Sequence, residues 1–100
     1  MLMNLPPARP ETEPVMPQVL DVRTLPPPEP LERVLDALTA MPAGGRLWVL
    51  HRREPFPLYD MLQTMGYSWR VRGREDHFEI MIWDSGAPPT RAELSWNPPS

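Results

Sequence analysis

Proline decides where this chain can fold. Of its 16 prolines, five fall in residues 1–17 and four in residues 85–100, so more than half sit in the terminal third of a 100-residue chain. Each one fixes φ and removes an N–H donor, which keeps a segment dense in proline out of sheet and helix interiors. Neither end shows a periodic apolar face to bury. Residues 1–17 and 85–100 are therefore expected to be extended, disordered tails, leaving residues 18–84 as one small domain.

Inside those limits the apolar spacing is regular. Gln18–Val22 alternates Leu20 and Val22 against Val19 and Asp21, a short strand. Leu31, Val34, Leu35, Leu38 and Met41 then recur along one face of a helix. Pro30 suits its first turn and Glu29 its cap, and Glu29 and Glu32 lie where the helix dipole favours anions. Arg46–Arg52 reads as a second strand, with Leu47 and Val49 on one face and Trp48 and Leu50 on the other. A second helix carries Leu58, Met61, Leu62 and Met65, and Gly66 stops it. Tyr67–Arg72 and His77–Trp83 alternate as two strands joined by a turn over Gly73–Asp76. The order is β-α-β-α-β-β, and right-handed crossovers put both helices on one side. The expected fold class is α/β, an α+β two-layer sandwich of a four-stranded mixed sheet and two helices, with the other sheet face bare.

Composition narrows the chemistry. The net charge is −3, and the domain is itself slightly acidic, which argues against nucleic-acid binding of the general basic kind. All ten cations are Arg, planar forks suited to carboxylate or phosphate. With no Cys there is no disulfide, thiolate nucleophile or zinc–thiolate site. No apolar run approaches the ~20 residues that span a bilayer, and the first ten residues lack a signal-peptide pattern, so a cytoplasmic protein without membrane contact is expected. His51 and His77 stand without metal-ligand spacing, and Met41, Met61 and Met65 have core spacing rather than that of a copper site. The serines lack a nucleophile elbow, and Gly44-Gly45 is too short for a phosphate loop. No catalytic residue, metal or cofactor is expected, and the chain reads as a non-enzyme.

Two surfaces remain as candidate binding sites. The first is the loop edge where strands one and two meet the starts of the two helices: Arg23, Pro26–Pro30 including Pro27, Pro28 and Glu29, His51, Arg52, Arg53, Glu54, Pro55 and Tyr59. Parallel strand ends facing helix N-termini favour an anion, and the Arg and His side chains could clamp it. The plainer reading is that these Arg residues brace the turns by pairing with Glu29, Glu54 or Asp60. The second is the bare sheet face with Trp48, Leu50, Arg70, Arg72, Met81 and Trp83. Aromatic residues beside Arg compose a contact surface for a protein partner, a homodimer included, or less readily for RNA. Its plainer reading is intramolecular stacking of Arg on Trp.

The run Leu20-Asp21-Val22-Arg23-Thr24-Leu25-Pro26-Pro27-Pro28-Glu29-Pro30 resembles the TusA-like (SirA-like) sulfur-carrier superfamily, in which a Cys-Pro-x-Pro turn opens the first helix. The likeness continues through Pro42-Ala43-Gly44, Glu54-Pro55 and Gly66-Tyr67, over residues 20–83. In that family the Cys carries a persulfide. Here Pro27 stands at that position, with Pro28 and Pro30 matching the two prolines, so the resemblance implies the scaffold without the sulfur chemistry. The phrases LDVRTLPPPEPLERVL and HRREPFPLYDML are similar to a cysteine-less, uncharacterised bacterial branch of the superfamily, whose members stand alone or joined to hemerythrin-like domains. What the resemblance and the residues together imply is a non-catalytic protein-binding or adaptor module. The alternatives are a small-anion or cofactor-binding protein or enzyme subunit using the Arg/His edge, and RNA binding by the sheet face.

Overall fold

A computed structural model describes residues 17–97. The expected N-terminal tail lies outside the described residues except for Pro17. Four strands form one mixed sheet: β1 (Gln18–Asp21), β2 (Arg46–His51), β3 (Tyr67–Arg74) and β4 (His77–Asp84), in the spatial order β1-β2-β4-β3. β1 runs parallel to β2, and β4 pairs antiparallel with both β2 and β3. Helices α1 (Glu29–Ala40) and α2 (Phe56–Met65) lie on one face, giving the two-layer sandwich that the periodicity implies.

Burial follows the strand alternation. Leu47, Val49, Ile80 and Ile82 point to the helices and are fully buried with Val22, Val34, Leu38, Leu58 and Leu62. Their aliphatic side chains interlock without a polar atom among them, the arrangement that stabilises a small domain most per residue. Gly66 ends α2 at φ 87°, a left-handed position that costs glycine nothing. Gly73 sits at φ 110° beside the two-residue turn of the β3–β4 hairpin, where a side chain would run into the His77 carbonyl. Glu29 proves to be the first residue of α1 rather than its cap. That place falls to Pro28, and no side chain caps the helix.

Two expectations are corrected together. Of the expected C-terminal tail 85–100, residues 98–100 lie outside the described residues and residues 85–97 are not an extended tail, and the second sheet face is not bare. After Asp84 the chain turns through Ser85–Pro89 and forms a short third helix, α3 (Arg91–Leu94). A reciprocal capping box starts it: the Glu93 amide donates to the Thr90 hydroxyl at 3.1 Å and the Thr90 amide donates to the Glu93 carboxylate at 2.9 Å. This strap lays Leu94 and Trp96 over Trp48, Leu50 and Met81, which keep 2%, 5% and 3% of their surface in solvent. Among residues 85–97 there is no strand, and a strap held by side chains needs none.

Candidate functional site

β1 and β2 are parallel, so both end at one edge, where the chain passes into α1 and α2. Each connection finishes in Pro-x-Pro: Pro28-Glu29-Pro30 opens α1 and Pro55-Phe56-Pro57 opens α2. These rigid residues wall two adjoining grooves. The smaller, about 340 Å³, lies between the helix starts and has Pro27, Pro28, Pro55 and Pro57 as walls over Leu31, Val34 and Leu58. The larger, about 490 Å³, is bordered by Arg23, Thr24, Leu25, Pro26 and Arg52. Pro27, Pro30, His51 and Arg53 line both.

The charged groups at this edge are not equivalent. Arg23 is engaged by its own strand, with Nε 2.9 Å from Oδ1 of Asp21 and Nη2 2.7 Å from Oδ2. That hydrogen-bonded pair holds the Asp21 carboxyl below its ordinary pKa. Arg52 and Arg53 are exposed and, among the described residues, pair with no carboxylate. The expected bracing by Glu29, Glu54 or Asp60 is therefore absent for all three Arg among the described residues. Glu54 instead accepts a hydrogen bond from the Tyr59 hydroxyl at 3.2 Å. Burial and the Glu54 charge raise the Tyr59 pKa, and its ring stacks on Trp69 at 5.0 Å. Tyr59 thus braces α2 rather than facing a ligand.

His51 is half-buried, and its Nδ1 accepts the Arg53 amide at 3.1 Å, which assigns the proton of the neutral ring to Nε2. Burial, and then the charge of Arg53, lower its pKa, so the imidazole is neutral at pH 7. The helix starts offer an anion less than their position suggests. The Glu29 amide donates to the Pro26 carbonyl, Glu32 to Pro28, Phe56 to Glu54 and Leu58 to Pro55, while Pro30 and Pro57 have no N–H. In α1 the first turn also carries two carboxylates, Glu29 and Glu32.

The second candidate surface is sealed. Trp48 meets Trp96 edge to face at 5.1 Å, and its Nε1–H donates to Glu79 at 3.1 Å. Arg72 lies over the Trp48 ring at 4.8 Å and forks onto Glu79 at 2.8 and 2.9 Å. It also donates to the Trp96 carbonyl at 3.2 Å and to Asn97 at 2.8 Å. Arg46, next to Trp83 across β2–β4, places Nε 2.9 Å from Glu93. Both of these side chains are at least nine-tenths buried. Trp48, Leu50 and Met81 therefore form no open stacking platform for RNA bases. Trp83 packs against their cluster, and Arg70 alone of the six stays exposed. Intramolecular stacking of Arg on Trp is what this face contains.

A family described as an uncharacterised conserved protein, DUF2249, matches residues 19–84. The chain belongs to this family. No curated protein and no solved structure matches it. The DUF2249 match takes in both helices of the loop edge and, Gln18 of β1 apart, all four strands, and it ends at Asp84, before the turn that leads into the strap.

Of the residues expected at the loop edge, Arg23, Pro27, Pro28, Pro30, His51, Arg52 and Arg53 lie around the two grooves, whose floor of Leu31, Val34 and Leu58 was not among the expected residues. The repeated Pro-x-Pro was the available signal, because it marks two helix starts of the same build facing one another. On the other face sequence reasoning overlooked Arg46, Glu79, Glu93, Leu94 and Trp96. The Thr90-x-x-Glu93 spacing before Leu94 was the signal for a helix start there. Among the described residues no cluster of His, Asp and Glu could hold a metal ion, and no helix is long and apolar enough to cross a membrane.

Proposed function

We propose that this DUF2249 domain is a non-catalytic adaptor that docks an extended segment of a partner protein along the proline-walled edge. An apolar side chain of the partner enters the smaller groove, and an acidic residue beside it meets Arg52 or Arg53. The observation that carries the reading is the combination at one edge of an aliphatic groove with two exposed guanidinium groups that no described carboxylate engages. Apolar pockets with a few fixed polar groups suit such recognition. Proline walls lose little conformational freedom when a ligand arrives, so less of the binding energy goes to ordering the site. The likeness to the sulfur carriers supports the same edge: Pro27, at the position of their sulfur-bearing Cys, lines both grooves and has no group to transfer.

Affinity capture from native extract at physiological salt tests this. The wild-type chain and Arg33→Glu, altered on the outer face of α1, should retain the same partner, and Arg53→Glu should retain at least about tenfold less. No specific partner, or equal retention by Arg53→Glu, would overturn the proposal. A second reading, a small oxyanion held by His51, Arg52 and Arg53 in the larger groove, has fewer backbone donors in its favour. It would show instead as thermal stabilisation by phosphate or sulfate that Arg53→Glu abolishes.

A further inference from the structure

The strap over the second sheet face is built unlike the rest of the molecule. Among the described residues, the backbone–backbone hydrogen bonds of residues 88–97 are internal: Leu94 to Thr90, Ser95 to Arg91 and Ala92, Trp96 to Glu93. None ties the segment to the sheet among the described residues. The hold is by side chains on the sheet, through the Arg46–Glu93 pair, the Arg46 donor to the Pro88 carbonyl at 3.3 Å, the Arg72 donors to Trp96 and Asn97, and the contact of Leu94 and Trp96 with Trp48, Leu50 and Met81. No residue of α3 is itself fully buried. A segment with its own cap and no ladder to break detaches as a unit, at a free energy below that of unfolding the sheet.

The hinge is equally defined. Ser85 is held by its amide on the carbonyl of Gly66, the residue before β3, at 3.0 Å and by its hydroxyl 2.7 Å from that of Ser68 in β3, and the Ala87 amide donates to the Asp84 carbonyl at 2.8 Å. Pro88 and Pro89 follow, with no N–H to bond and a stiff, extended preference. Release of the strap would therefore turn at Ala87, on a short, stiff arm, and would give up the Arg46 hydrogen bond to the Pro88 carbonyl together with the other strap contacts. With it open, three apolar side chains lie bare between Arg46 and Arg72, and the ligand that fits them is one every copy of this chain carries.

We infer that the strap-side face is an interface for a second copy of this chain, entered by reciprocal exchange of residues 88–97. Each strap then seats on the partner's Trp48, Leu50 and Met81 and repeats there the contacts it makes in its own chain. Contacts made within one chain and between two are the same, so exchange needs no new complementarity, only release and a two-fold approach of the two faces. The three residues between Asp84 and Pro88 keep the strap close to its sheet, so a partner's face must come near for exchange, as it does in a two-fold pair. This surface is separate from the proline-walled edge, and neither proposal depends on the other.

A pair of charge reversals distinguishes exchange from simple opening. In Arg46→Glu the face opposes its own Glu93 with like charge, and in Glu93→Arg the strap opposes its own Arg46. Each variant alone should sediment as a monomer. In an exchanged mixed dimer the altered face receives the altered strap and the unaltered face the unaltered strap, so both pairs are restored. Mixing the two full-length variants should yield dimer at least about tenfold above either alone, measured by sedimentation. A mixture that stays monomeric would overturn the inference. Equal dimer in each variant by itself would overturn it too, because a bared face rather than a delivered strap would then be responsible. Should a variant fail to fold, wild-type chain mixed with its ¹⁵N-labelled form should give a mixed dimer by native mass spectrometry at high concentration. Trp96→Ala chains should not, and a dimer that persists in Trp96→Ala would again overturn it.

Discussion

Both faces of the sheet are covered, yet they are held by different physics. On the helix side nine fully buried aliphatic side chains meet across 12- and 10-residue helices, with no charge among them. On the strap side three buried side chains lie beneath a four-residue helix, framed by Arg46–Glu93 and Arg72–Glu79. The first layer gains from area removed from water and cannot come apart without unfolding. The second gains from a few directional contacts and a modest apolar patch, so it can be lost while the domain persists. One sheet thus carries a structural face and a conditional one.

The largest effect should come from cutting into the helix side. Leu38→Ala or Ile80→Ala removes a fully buried side chain from a tightly packed layer and should cost roughly 2–5 kcal/mol of global stability. In a domain this small that is a large share of the total. Urea unfolding followed by far-UV circular dichroism and by tryptophan fluorescence should shift together. A loss confined to the tryptophan signal would mean that the two faces are not divided as described.

On the strap side, Trp96→Ala removes a half-buried indole and its edge contact with Trp48, and should cost ~1–2 kcal/mol. Breaking a buried ion pair ordinarily costs about 3–5 kcal/mol, because one charge is left behind in the interior. Arg46→Met should cost less than that. Glu93 is carried on the strap, so it can leave with the strap for water, and the loss levels off at the free energy of strap opening. The double variant Arg46→Met, Trp96→Ala should then be barely less stable than either single one, a non-additivity that a double-mutant cycle reads directly. Strictly additive losses would mean that the strap does not move as one unit.

The same division explains what could be read from the sequence. Leu47, Val49, Ile80 and Ile82 alternate, and Val34, Leu38, Leu58 and Leu62 repeat at helical spacing, so the helix side is written in local periods that a single chain displays. The proline-walled edge was half legible: the residue types and their loops were evident, but its floor is made by helix residues whose pattern says only that they are buried. The strap was not legible by period at all. Arg46 finds Glu93 across 47 positions, and neither residue differs in kind from the many solvated Arg and Glu of this chain. Trp48 and Met81 looked like an exposed stripe because alternation reports the side of a sheet and says nothing about what lies over it.

Acid should sharpen the comparison with the smallest and most selective effect. Burial alone would raise the Glu93 pKa, but the hydrogen bonds from Arg46 and Thr90 outweigh it and hold the carboxyl below its ordinary 4.5. Glu79 follows the same pattern, with Arg72 and Trp48 as the main donors. When the strap opens, Glu93 returns to its ordinary value and so binds protons at a pH where the closed form does not. The closed strap is therefore fully favoured above about pH 4.5 and weakens as the pH falls through the lower value of the folded state. The buried cluster under the two helices contains no carboxylate and should be indifferent over that range. Near-UV dichroism from the Trp48–Trp96 pair should fade on acidification before the far-UV signal changes, and Glu93→Gln should weaken the strap at neutral pH while removing most of its further response to acid. Simultaneous loss of both signals would deny the strap a separate equilibrium, and a near-UV signal that persists until the fold itself collapses would show the pair to be a permanent part of the core.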